Sequence, residues 1–225
     1  MYKRQSNASV EGLKNIPKDG KFLIVSNHPM GAADAIALYH KIYPVRNDLF
    51  FFANELFVYL LGAFHDLLAP VVWSKEKETH SASKVTLERL SIFFGDERPG
   101  IIFPSGRLSK LTFFGLWDRP WEKTPIALAK KYNFPLIPVY IEGRNSWFFY
   151  FASYVNKQLR DVSQLNELFN KRDKNISIKI GKPVNVSLLD DNSNIAIDQL
   201  RYKSESLRKK GLLKLNRFIY LRNFR

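Results

Sequence analysis

The chain has 225 residues with 45% hydrophobic side chains and no cysteine, enough for one domain with a full core, and disulfides, zinc–thiolate sites and thiol nucleophiles are excluded. Lys and Arg outnumber Asp and Glu by 35 to 21, a formal charge of +14 that calls for an anionic partner: nucleic acid, anionic lipid or a phosphorylated substrate. The most apolar region, 49–73, is broken by Glu55, His65 and Asp66, and no apolar stretch follows the basic N-terminus, so neither a transmembrane helix nor a cleaved secretory signal is expected.

In chain order, the apolar run 22–25 after Asp19-Gly20 predicts a buried strand that delivers Asn27 and His28 to its C-terminal end. Residues 32–40 and 55–64 predict helices. A longer helix is expected over 83–94, where Leu87, Leu90 and Phe94 recur at three- and four-residue spacing before Gly95 and Pro99. Residues 100–103 predict a second strand, ending at Pro104-Ser105-Gly106, and 134–141 a third. Between them a helix is expected to open with Thr124 as its cap and Pro125 in its first turn.

Five aromatics occupy 147–151. A core helix is the default reading, with a bilayer contact or an acyl-lining surface as alternatives. Ile176, Ile178 and Ile180 alternate with polar residues and predict a half-exposed strand at a sheet edge. The tail 195–225 interleaves leucines with Arg and Lys, either as a membrane-surface helix or as a terminal helix packed on the domain. Strands separated by helical patterns predict an α/β fold, a mainly parallel central sheet flanked by helices, as one domain over 1–225 that includes the basic tail.

The most informative stretch is Ser26-Asn27-His28-Pro29-Met30-Gly31-Ala32-Ala33-Asp34. A carboxylate beside one imidazole nitrogen fixes the tautomer and stabilises the imidazolium that forms when the other nitrogen takes a proton. On a continuous helix His28 and Asp34 would stand about 120° apart. Pro29 and Gly31 favour a turn instead, with Asp34 in the first helical turn, where its carboxylate can fold back toward the ring. No Gly-x-Ser-x-Gly elbow supports a serine hydrolase, and no His-x-His or Glu-x-x-His spacing supports a metal site.

Asn27-His28-Pro29 with Asp34, then Phe103-Pro104-Ser105-Gly106-Arg107-Leu108-Ser109, then Ile137-Pro138-Val139, resemble the blocks of the glycerolipid and lysophospholipid acyltransferase superfamily, the PlsC type. Five residues separate His28 from Asp34. With Asp118-Arg119-Pro120-Trp121 and Glu142-Gly143-Arg144-Asn145-Ser146, that spacing resembles the hemolysin-like or ornithine-lipid O-acyltransferase branch. The resemblance implies a glycerol-phosphate acyltransferase-like fold. It also implies transfer of a fatty acyl group to a hydroxyl of a lysophospholipid, a glycerol-phosphate-like acceptor or a lyso-ornithine lipid.

In that reading His28 is the general base and Asp34 its orienter, with no acyl-enzyme, metal or cofactor; the donor is acyl-CoA or acyl carrier protein. Substrate-binding candidates are Asn27, Gly31, Asn54, Glu55, Pro104, Ser105, Gly106, Arg107, Arg144 and Asn145. The two arginines are chosen because guanidinium forks pair with phosphate oxygens. Backbone N–H groups near Ser105 and Gly106, or at the helix start beyond His28, are candidate oxyanion donors. The partner is a membrane lipid surface, bound peripherally at the cytoplasmic face of a bacterial inner membrane, and no nucleic acid. Two departures concern the acceptor: Ser105 stands where the family usually has an acidic residue, with Arg107 one place early, and the second block, 51–57, has no arginine. The alternative is a non-catalytic basic lipid- or nucleic-acid-binding protein on the same fold.

Overall fold

The structure is a computed structural model that describes residues 8–54, 62–71, 80–112, 115–156, 163, 166–167 and 176–208. In chain order its elements are β1 (Ala8–Glu11), β2 (Leu23–Ser26), α1 (Ala32–Ile42), β3 (Phe50–Asn54), β4 (Leu68–Val71), α2 (His80–Gly95) and β5 (Gly100–Ile102). A small hairpin follows, β6 (Lys110–Thr112) with β7 (Gly115–Trp117), then α3 (Thr124–Tyr132), β8 (Leu136–Glu142), α4 (Trp147–Val155), β9 (Ile176–Ile180) and α5 (Ser193–Glu205).

Seven strands form one sheet in the order β1-β9-β8-β2-β5-β3-β4. From β8 to β4 every neighbouring pair is parallel. The pairing of β8 with β9 is antiparallel, and β1 runs parallel to β9. The sheet is therefore mainly parallel with helices on both faces, as the sequence pattern predicts.

Burial on both faces explains why the central strands read as unbroken apolar runs rather than as alternation. Leu23 and Val25 point into one layer with Leu90, Phe93 and Phe94 of α2, Ile126 of α3, and Ile197 and Leu200 of α5. Phe22 and Ile24 point into the other layer, with Leu38 and Ile42 of α1 and with Ile137, Ile178 and Ile180. Leu23, Ile24, Leu38 and Leu200 are completely buried. The site is thus mounted on the rigid middle of the sheet.

Three expectations change. Residues 176–180 do form a half-exposed strand, but β1 lies outside it, so β9 is not at the edge. Thr124 is the first helical residue of α3 rather than its cap; Lys123 stands at the cap without a side-chain bond, and Pro125 supplies the preset turn. The 147–151 aromatics lie on a helix that buries only one face. Phe149 and Ala152 are buried while Trp147, Phe148 and Phe151 stand 73%, 65% and 67% exposed, so the core-helix reading fails for most of them.

The first part of the tail packs on the domain as α5, with Ala196 and Leu200 in the core and the Ser204 hydroxyl donating to the Val139 carbonyl at 2.5 Å. Residues 209–225 lie outside the described residues. So does most of the expected helix 55–64, whose last residues begin a short 3-10 segment, Gly62–Leu67. No helix among the described residues is long and apolar enough to cross a membrane.

Candidate active site

Strands β2, β5 and β8 are adjacent and parallel, so the segments that follow them leave the sheet at one edge. These are His28 to Gly31, Phe103 to Ser109 and Gly143 to Ser146. Ligands gather at this carboxyl edge in open α/β sheets. The parallel neighbour β3 brings Asn54 to the same edge by its backbone; the Asn54 side chain and Glu55 lie outside the described residues.

Asn27 joins its strand to the site through the sheet itself. Its side-chain nitrogen donates to the Ile141 carbonyl at 2.9 Å, and its side-chain oxygen accepts the Ile141 N–H at 2.7 Å. The amide thus stands in for a peptide unit beyond the last β2–β8 pair, and it is fully engaged there. Through these two bonds Asn27 places the turn that carries His28.

At Gly31 the chain takes φ 78° and ψ −137°, a conformation that side-chain-bearing residues rarely adopt. This turn starts α1 so that Asp34 lies in its first turn. One carboxylate oxygen of Asp34, Oδ2, accepts the N–H groups of Met30 and Gly31 at 2.8 and 3.0 Å. The same oxygen lies 3.0 Å from His28 Nδ1. Neither Nδ1 nor the second Asp34 oxygen has a hydrogen bond of good geometry among the described residues. The pairing of His28 with Asp34 is close in distance and imperfect in direction, a geometry that candidate acid–base pairs commonly show without substrate.

Burial pushes the Asp34 carboxyl above the usual carboxylate range, against the opposing pull of His28 and the two backbone donors. The His28 ring stacks on Phe103, with centroids 4.1 Å apart and planes 22° from parallel. Its side chain remains 18% exposed. The ring is thus held at Nδ1 by Asp34 and on one face by Phe103.

The loop after β5 is fastened to His28 as well. Ser109 donates its backbone N–H to the His28 carbonyl at 2.9 Å. Its hydroxyl donates to Asp118 Oδ1 at 2.8 Å, which also accepts the His28 N–H at 3.3 Å. The indole of Trp121 donates to Asp118 Oδ2 at 2.7 Å, and Arg201 of α5 donates to the Asp118 carbonyl at 2.9 Å. Burial raises the Asp118 carboxyl despite the Trp121 and Ser109 bonds. Phe103, Ser109 and Asp118 were not singled out as site residues from sequence. The Asp-Arg-Pro-Trp stretch was the available signal, since only the fold brings position 118 to position 28.

Pro104 and Ser105 are buried, and the Ser105 hydroxyl donates to the Arg107 carbonyl at 2.8 Å, shaping the loop. Gly106 takes φ 59° and gives its N–H to the Phe103 carbonyl. With Met30 and Gly31 directed to Asp34, three of the backbone donors considered for an oxyanion are already engaged. Arg107 and Arg144 are exposed at the same edge. Asn145 is 3% exposed, and neither atom of its side-chain amide has a hydrogen-bond partner among the described residues. Among the described residues no group of His, Asp or Glu is placed to hold a metal ion.

A family model described as Acyltransferase matches residues 4–218. The chain belongs to this acyltransferase family. Two lyso-glycine lipid O-acyltransferases, from Phocaeicola vulgatus and Bacteroides thetaiotaomicron, are each 30% identical to it over 186 residues, 80% of the chain. The chain spans 64% and 66% of their lengths. Among solved structures, the 1-acyl-sn-glycerophosphate (LPA) acyltransferase PlsC of Thermotoga maritima superposes with a TM-score of 0.56 at 20% identity, over 91% of this chain and 72% of that one. That likeness establishes a shared α/β acyltransferase fold.

Proposed function

We propose that this acyltransferase moves a fatty acyl group from the thioester of acyl-CoA or acyl carrier protein to a hydroxyl of a lysolipid. An acceptor with an amino-acid head group, as in the lyso-glycine lipid named for its relatives, is the first choice. The observation that carries this reading is the 3.0 Å approach of His28 Nδ1 to a buried Asp34, on a ring stacked against Phe103. His28 Nε2 takes the proton of the acceptor hydroxyl as its oxygen attacks the thioester carbonyl. The tetrahedral intermediate then expels the thiolate, which recovers the proton from the imidazolium.

Asp34 holds the ring tautomer and stabilises its charged form, and no acyl-enzyme arises. General-base assistance of this kind supplies roughly 10²- to 10⁴-fold. Arg107 and Arg144 offer the anionic head or the donor phosphates their guanidinium groups. A carboxylate head in place of a phosphate is consistent with Ser105 replacing the usual acidic residue. Peripheral attachment to the cytoplasmic face of a membrane suits a basic chain whose substrates are lipids.

Labelled acyl transfer to a panel of lysolipids tests the proposal, with wild type and His28→Ala compared side by side. Loss of transfer by a factor of roughly 10² or more in the variant is expected. Undiminished activity would sink the mechanism, and a wild type that binds lysolipid yet never acylates it would favour the non-catalytic alternative.

A further inference from the structure

Helix α4 carries a sector of its surface that nothing among the described residues covers. Trp147, Phe148, Phe151, Tyr154 and Val155 are 73%, 65%, 67%, 92% and 57% exposed. At about 100° per residue their spacing confines all five to one sector roughly 120° wide. Phe149 and Ala152, on the remaining side, are buried against the domain. No charged residue interrupts the helix. Soluble proteins scatter such side chains singly, whereas a contiguous aromatic face marks a contact surface.

The place of this face in the molecule narrows the partner. Helix α4 starts five residues after the end of β8, at the edge that holds His28. The segment leading into it is tightly seated: a Cβ on Gly143 would come within 2.5 Å of Met30 Sδ. Asn145 N–H donates to the Tyr150 hydroxyl at 3.1 Å, and Ser146 accepts the Phe149 N–H at 3.2 Å as the helix cap. Exposed Arg144 precedes the helix, exposed Arg107 lies on the neighbouring loop, and the chain carries +14. Trp and Tyr among apolar neighbours, with basic residues at the rim, match the aromatic and charge order of a bilayer interface.

We infer that the outer face of α4 docks on the interface of a membrane containing anionic lipid, setting the His28 edge against the layer that holds the acceptor. This rests on the lysolipid acyltransfer proposed above and names the surface through which it is reached. A second copy of the chain or a carrier protein is the competing occupant; an aromatic face without basic residues of its own offers an anionic carrier only hydrophobic contact.

The test compares wild type with Trp147→Ser/Phe148→Ser/Phe151→Ser, whose side chains are exposed and whose loss leaves the core intact. Flotation with vesicles of phosphatidylcholine, with and without phosphatidylglycerol, reads docking; labelled transfer to a short-chain lysolipid dispersed as monomers reads chemistry separately. Wild type should float, more strongly with phosphatidylglycerol. The triple variant should float at least tenfold less, yet acylate the dispersed acceptor within about twofold of wild type. Equal flotation of the two proteins would overturn the inference, and so would a triple variant that also loses activity on the dispersed acceptor. So would a wild-type dimer, absent in the triple variant, with no vesicle binding. A wild type that floats but acylates nothing refutes the acyltransfer reading and leaves the docking face standing.

Discussion

The backbone N–H of Ser109 meets the carbonyl oxygen of His28 at 2.9 Å, joining the loop after β5 to the turn after β2 at the residue that carries the imidazole. A movement of either loop therefore shifts the ring relative to Phe103 and Asp34. Asp118 reinforces the junction by accepting from the Ser109 hydroxyl and the His28 N–H with a single oxygen.

Asp118→Ala is expected to leave the Trp121 indole and the Ser109 hydroxyl without their acceptor. Each buried orphan costs about 1–3 kcal/mol, which urea unfolding would register. Asp118→Asn keeps an acceptor and should be much the milder change. If Asp118 acts through the junction, transfer in Asp118→Asn should fall mainly in kcat with KM preserved; a change confined to stability would assign it to folding alone.

Asp34→Asn should separate function from stability. The carboxyl of Asp34 is raised from 3.8, chiefly by burial. A group whose folded pKa is raised stabilises the fold below its unfolded pKa, and that contribution is lost as pH rises through the folded value. Wild type should thus lose stability on going upward from about pH 4, and the variant should show a flatter profile over the same window. At neutral pH the variant should unfold no more easily than wild type while losing at least tenfold in acyl transfer. An unchanged pH profile of unfolding would contradict the assignment of the burial cost to Asp34.

Gly143→Ala should push the buried Met30 side chain, because the new methyl would stand 2.5 Å from its sulfur. Met30 gives its N–H to Asp34, so the displacement reaches the carboxylate beside His28. About tenfold loss of transfer is expected. Adding Met30→Ala should restore part of it by making room, and a double-mutant cycle measures that coupling directly. Strictly additive losses would show that the two positions do not communicate.

Asn145→Leu carries the opposite signature. Its amide is buried with no hydrogen-bond partner among the described residues, so replacement with an apolar side chain should hold or raise thermal stability. A residue kept at that cost is expected to serve the acceptor, and KM for the lysolipid should rise. Unaltered kinetics with higher stability would remove Asn145 from the binding residues.

The central strands were legible in the sequence because both faces are buried, which produces the apolar runs before His28, Pro104 and Gly143. Helices α1 and α3 were legible from Gly31 and Pro125, residues whose backbone preferences fix where a helix begins. The short strand β1 was not recognised, since Ala8–Glu11 buries little and gains its place only by pairing with β9. That pairing also moved β9 from the edge, which no local pattern reveals. His28 and Asp34 could be paired by reasoning about one turn. Asp118 could not, because its separation of 90 positions from His28 is closed up only by the sheet.

Asn27 has a consequence beyond its two bonds to Ile141. By lending a side chain to the ladder, the chain can turn its backbone out of the sheet one residue early without breaking the pattern of bonds across it. His28 therefore stands outside the strand yet inherits the stiffness of the sheet's centre, and the reach of its ring into the substrate space is set by the length of an amide rather than by a loop.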